Sequence, residues 1–273
     1  MAIRYYHEFT SQLGRQWKIN IHDTSFASTA STFEAADNGF VLQYGDGASK
    51  IIDPVLGSRC EVVVQIAQTD TGLQTLISDI VAAQEGRFFI EIQEDTGSGY
   101  ELYWGGRVLT DLISEPDTYP SEVTLTATDG LASLKDVRFD DDGTLYTGQV
   151  RFNDLLGLLI NKAGVQVPLY GTGGTDYSLR TVANWWHNEM GSPVTGTDPL
   201  ARSRINHRTW WDEVRTDEAF YVAQPSYDVL KNICQGWFGR VFQSAGRYYF
   251  MQVTQHGQNP SAWRDYSLNS DGS

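Results

Sequence analysis

Residues able to do chemistry are few in this chain, and they are scattered. The five histidines stand at positions 7, 22, 187, 207 and 256, and none has a spacing that serves catalysis. A helix-borne zinc pair needs two histidines one turn apart with a glutamate beside the first. His187-Asn188-Glu189 offers only one histidine. His22-Asp23 has the look of a dyad fragment, but no Gly-x-Ser-x-Gly turn accompanies it to present a nucleophile. Asp140-Asp141-Asp142-Gly143 invites a calcium reading. An EF-hand loop, however, alternates its oxygen ligands over about twelve residues and closes on a bidentate glutamate. Three consecutive aspartates point in different directions, so the segment reads as a solvated turn. Glu91, Glu94 and Glu101 fall on neighbouring expected strands, where a carboxylate pair for glycoside hydrolysis could be assembled. Among 34 acidic residues some pair always looks suggestive, so the signal is weak. No catalytic residue, metal site or cofactor is expected.

Cys60 and Cys234 lie far apart, each in an apolar run. A long-range disulfide is one reading; two buried thiols is the reading their surroundings favour. Aromatic residues are the one compositional excess, with 8 Trp, 14 Tyr and 12 Phe. Trp185-Trp186 and Trp210-Trp211 could stack sugar rings as a glycan-binding module would. Arginines lie close by in sequence (Arg180, Arg204, Arg208, Arg215), and Trp, Tyr and Arg together are enriched where subunits meet. Trp185, Trp186, Trp210, Trp211, Arg208 and Arg215 are therefore the expected interface residues.

The elements that would position these groups can be read from the pattern. The chain has 273 residues, 41% hydrophobic, room for two ordinary domains or one large one. Its net charge of −14 disfavours general nucleic-acid binding. No apolar run approaches the length that crosses a bilayer, and the amino terminus lacks the apolar segment of a signal peptide. A soluble protein made in a cytoplasm is expected. Residues 1–135 read as a β-domain, with strands at Gln16–Ile21, Gly39–Tyr44, Cys60–Ala67, Arg87–Gln93, Tyr100–Trp104, Arg107–Leu112 and Ser121–Thr128. One amphipathic helix, 73–85, interrupts them with Leu73, Leu76, Ile77, Ile80 and Val81 on its apolar face. Asp70 or Thr71 would cap it, and Gly86 would follow its end.

Residues 136–273 read as a mixed α/β domain. Helices are expected at about 152–163 and 227–238, the second capped by Ser226, stopped by Gly239 and burying Tyr227, Leu230, Ile233, Cys234, Trp237 and Phe238. A short helix is placed within Thr181–Met190 and a flexible loop at Gly171–Asp176. A hairpin at 240–253 turns on Ser244-Ala245-Gly246, and a polar tail follows. The fold class expected is α+β, mainly β: a tube-like barrel or sandwich with one packed helix, then a mixed helical and aromatic domain ending in a hairpin.

Three stretches carry a resemblance: Tyr103-Trp104-Gly105-Gly106-Arg107-Val108; Val123 through Leu134, containing Thr128-Asp129-Gly130-Leu131; and Pro225-Ser226-Tyr227 through Phe242-Gln243, then Gly246-Arg247-Tyr248-Tyr249-Phe250. Together they resemble the tail-hub (baseplate hub) proteins of tailed bacteriophages and related contractile injection systems. The resemblance implies a structural virion protein, without enzymatic activity, that forms a ring, a homotrimer, at the tail tip. It would join the tail tube or distal tail protein to a spike or fibre, with viral DNA passing through without specific binding. Assembly would take place in the bacterial host cytoplasm. A distal tail protein forming a hexameric ring, or a tail-associated glycan-binding or cell-wall hydrolase module, is the alternative.

Overall fold

A computed structural model describes residues 1–45, 53–114, 116–164, 177–182, 199–214, 220–255 and 264–268. Among the described residues it is mainly β, with three 11-residue helices, a single helical turn at Pro199–Arg202 and a nearly closed barrel-like sheet. Nine strands lie before residue 130 among the described residues: β1 (Ala2–Thr10), β2 (Gln16–Asp23), β3 (Ser31–Thr32), β4 (Glu34–Tyr44), β5 (Val55–Leu56), β6 (Ser58–Ile66), β7 (Phe88–Asp95), β8 (Tyr100–Val108) and β9 (Ser121–Thr128). Eight of them form one sheet in the order β3-β1-β2-β7-β8-β9-β6-β4. Period-two burial explains the register: Ile19 and Ile21, Cys60, Val62, Val64 and Ile66, and Ile90 and Ile92 all turn inward. At the seam between the outer strands, the Phe9 ring occupies the space a side chain on Gly39 would take. Trp17 bridges this seam, edge-on to Phe40 at 5.3 Å and to Tyr103 at 5.0 Å.

Helix α1 (Thr71–Val81) plugs this barrel with Leu73, Leu76, Ile77 and Ile80, all buried in its core. Asp70 caps it, its carboxylate accepting from the Leu73 N–H at 2.9 Å. The helix ends four residues short of the expected 85, and Val81 is 41% exposed rather than on the apolar face. Asp79, half-buried, meets Arg4 at 2.7 Å and pulls the helix onto a charge network. There Asp23 accepts from both Arg4 and Arg87 at 3.0 Å.

The second hydrophobic core is built around α2 (Phe152–Lys162) and α3 (Ser226–Gly236). Ten more strands follow among the described residues: β10 (Asp140–Asp141), β11 (Thr144–Leu145), β12 (Gln149–Arg151), β13 (Tyr177–Val182), β14 (Arg204–Asn206), β15 (Trp211–Val214), β16 (Phe220–Ala223), β17 (Gly239–Ser244), β18 (Arg247–Gln252) and β19 (Arg264–Leu268). The order β19-β13-β18-β17-β5 makes a five-stranded sheet, so β5 leaves its sequence neighbours to pair parallel with β17.

Several local expectations are corrected. Tyr100–Trp104 and Arg107–Leu112 are not two strands: β8 runs unbroken through Gly105-Gly106, and a 3-10 turn takes Thr110–Leu112. Gly106 belongs inside the strand because a Cβ there would sit 2.3 Å from the Trp104 ring and 2.6 Å from the Thr128 carbonyl oxygen. Thr181 and Val182 end strand β13 rather than opening a helix; residues 183–190 lie outside the described residues, as does the loop at 171–176. Arg264–Leu268 in the expected polar tail is a strand. Pro225 rather than Ser226 stands at the N-cap position of α3, and no side chain caps the helix there. Phe238 is 74% exposed with φ 51°, and Gly239 already belongs to β17. The reason is steric: a Cβ on Gly239 would lie 2.3 Å from the Phe250 ring, so the glycine is needed there and Phe238 takes the left-handed position.

Among the described residues, no helix is long and apolar enough to cross a membrane.

Candidate functional site

Adjacent tryptophans part company at the start of β15. Trp210 ends a 3-10 turn and is 6% exposed, packed in the second core. Trp211 begins the strand and points the other way, where the Arg208 guanidinium lies 5.3 Å from its ring centre. β16 pairs antiparallel with β15 and brings Tyr221 to 5.8 Å from Trp211. Phe220 and Tyr221 are about half exposed, at 48% and 53%. Arg208, Trp211, Tyr221 and Phe220 thus form an aromatic arm with a cation laid against it. Its base is fixed by the Gln224 N–H donating to the Trp210 carbonyl and by the Gln224 amide donating to Asp212.

Of the six expected interface residues, Arg208 and Trp211 come together on this arm, while Trp210 belongs to the core. Trp185, Trp186 and Arg215 lie outside the described residues. Phe220 and Tyr221 were not anticipated; the Phe-Tyr-Val-Ala run after an acidic stretch was their only signal.

A second feature joins the two sheets. Asp129 is fully buried, and its carboxylate accepts from the Ser58 N–H, the Ser58 hydroxyl and the Leu131 N–H at 2.7, 2.6 and 3.0 Å. The Trp104 indole donates to the Ser58 hydroxyl oxygen at 2.8 Å. From the other sheet the Tyr248 hydroxyl donates to the Asp129 carbonyl at 3.0 Å, and the Gly246 N–H to the Tyr103 carbonyl at 2.7 Å. The Gly105 N–H donates to the Gln243 side-chain oxygen at 3.3 Å. Burial pushes the Asp129 carboxyl up to about 6, against the downward pull of the bonds from Ser58 and Leu131. Burial also raises Tyr44 to about 12, partly offset by its bond with Ser244.

The catalytic candidates among the described residues take up structural contacts; His187 and His256 lie outside the described residues. Glu91 is 6% exposed on β7 and is held by Asn20, His22 and Gln93 at 2.9, 2.7 and 3.0 Å. Glu94 points to the opposite face of the same strand, pairs with Arg15 at 2.8 Å and stands across from Glu101. Glu91 therefore stands apart from Glu94 and Glu101, which lie side by side on the other face of the sheet. His7 bonds the Phe33 carbonyl, and buried His207 stacks on Phe139 with Tyr146 tilted against it, where burial lowers its pKa. Asp142 and Gly143, both at positive φ, form the tight turn between β10 and β11. Cys60 and Cys234 are free and buried, one in each core. Among the described residues, no group of three or more His, Cys, Asp or Glu is placed to hold a metal ion.

Two clefts remain. One of about 1060 Å³ opens beside the start of α1, lined by Phe33, Glu34, Asp70 and Glu122 among others. One of about 660 Å³ lies between the sheets, lined by Asp53, Arg59, Lys135, Tyr227 and Lys231 among others.

The chain matches no protein-family model and no curated protein.

Proposed function

We propose that this chain is a structural, ring-forming subunit of a bacteriophage tail tip, a baseplate hub that joins the tail tube to a distal spike or fibre. The observation that carries the reading is the exposed arm of Arg208, Trp211, Phe220 and Tyr221. Half-exposed aromatics beside an arginine are the composition of subunit contacts, where burying a few such side chains supplies most of the binding energy. A second observation supports the resemblance. Tyr103 and Gly105, Asp129, and Gln243, Gly246 and Tyr248 come from the three stretches on which it rests, and they meet in one hydrogen-bonded joint. Motifs far apart in sequence that build one joint are what a shared two-sheet architecture would preserve.

The acidic balance suits a conduit for DNA. A ring of such chains, each at −14, repels phosphate and keeps the duplex from adhering to its wall. Electron microscopy of the assembled particle tests the proposal through symmetry and copy number. Three copies around the tail axis support the hub; six support the distal tail protein instead. A monomer that hydrolyses purified cell walls, or binds glycans through Trp211, would refute both.

A further inference from the structure

Charge is unevenly placed about α2. Arg151 on β12 stands directly across from Arg204 on β14, and both are exposed. Like charges opposed in a ladder repel. The nearest acid to Arg151 is Asp154, at 4.0 Å, and the same carboxyl feels Arg204 as well. Two guanidinium groups thus share one acid at the start of the helix.

The far end of α2 carries the reverse charge. Lys162, its last residue, donates to the Asp140 carbonyl and so holds the β10–β11 hairpin there. That hairpin's turn lifts Asp141 and Asp142 into solvent, and neither makes an ion pair among the described residues. The 11 residues of α2 span about 16 Å along its axis, with the arginines at its start and the hairpin held to its last residue. Both also oppose the helix dipole, whose positive end faces Arg151 and whose negative end faces the aspartates. Among the described residues no ion pair links the two patches within one chain.

A second copy would neutralise both. We propose that the Arg151–Arg204 ribbon docks onto the Asp141–Asp142 hairpin of a neighbouring copy of this chain. The two patches are different surfaces, so the contact runs head to tail, the kind that closes into a ring when its rotation allows. The inference rests on the assembly reading above and assigns it a surface.

The test is sedimentation velocity of the full chain at about 50 mM and about 500 mM salt. Four forms are compared: wild type, R151E/R204E, D141K/D142K and the quadruple variant carrying all four changes. Wild type should self-associate more weakly at high salt. Each double variant should weaken association at least about tenfold at low salt, and the quadruple variant, with its charges exchanged, should recover most of it. That recovery separates lost pairing from lost folding, and circular dichroism of each double variant checks the latter. Double variants that associate like wild type would overturn the assigned surface and leave the ring reading standing. Loss of association in the quadruple variant would also overturn the assignment. A wild-type chain that stays monomeric at both salt concentrations would overturn both.

Discussion

Ser58 and Asp129, 71 residues apart, meet on a single carboxylate oxygen, which accepts from both the N–H and the hydroxyl of the serine. Asp129 follows the last residue of β9, and Ser58 opens β6, the strand paired with it. The pair therefore fixes where the first sheet ends and the second begins. Asp129→Ala would leave two buried N–H groups and a hydroxyl without their acceptor. Each buried unsatisfied donor costs about 1–3 kcal/mol, so a loss of about 3 kcal/mol or more is expected, read by urea unfolding.

The same carboxyl makes stability depend on pH. Its folded pKa of about 6 lies above the ordinary 3.8, so between these values the native state holds a proton that the unfolded chain has released. Its stabilising contribution is complete below about pH 4 and is lost as pH rises through about 6, on the order of 3 kcal/mol over the window. Asp23 behaves oppositely. Burial alone would raise it, but the bonds from Arg87, the Ser25 N–H and Arg4 prevail and hold it below 3.8. Its contribution is present above the ordinary value and is lost as acid drives pH down through the folded one. Unfolding free energies at half-unit pH steps should fall from pH 4 to 6 in wild type. Asp129→Asn should flatten that slope and leave the acid limb in place.

The two tryptophans should separate folding from assembly. Trp210→Ala hollows the second core and is expected to cost about 3–5 kcal/mol in chemical denaturation. Trp211→Ala should cost under about 1 kcal/mol in stability yet weaken association by about 2 kcal/mol, measured by sedimentation equilibrium. Equal effects on stability would place Trp211 in the fold rather than at an interface.

Gly106→Ala meets both the Trp104 ring and the backbone of β9, neither of which can give way without moving the joint. A destabilisation of about 1–3 kcal/mol is expected in thermal or urea unfolding, with the Trp104 fluorescence shifted in the folded protein.

Burial raises both thiols far above the ordinary range, so neither supplies thiolate at neutral pH. Thiol reagents should label Cys60 and Cys234 only on unfolding. Because each lies in a different core, the two labelling rates report the two sheets separately.

Much of this fold was legible because burial imposes simple periods. The alternation of Val62, Val64 and Ile66 and the spacing of Leu155, Leu156, Leu159 and Ile160 found their strand and helix. What was hidden depends on partners distant in sequence. β1 alternates poorly because its residues are mostly half-buried at the seam. Val55-Leu56 is too short to read as a strand without β17 beside it. Gly105-Gly106 and Gly239 look like punctuation until the rings of Trp104 and Phe250 are in place. Of the expected interface, Trp210-Trp211 was legible as a pair of aromatics, but only the strand start at 211 separates core from surface.

The parallel pairing of Val55 with Val241 also bears on synthesis. A ribosome releases the first of these residues long before the second, so Val55-Leu56 leaves the exit tunnel with no bonding partner yet made. The barrel can close early, but its neighbour must wait for a strand encoded 186 residues later. The carboxy-terminal half, expressed by itself, would emerge with β17 as a bare edge, open to pairing with another molecule.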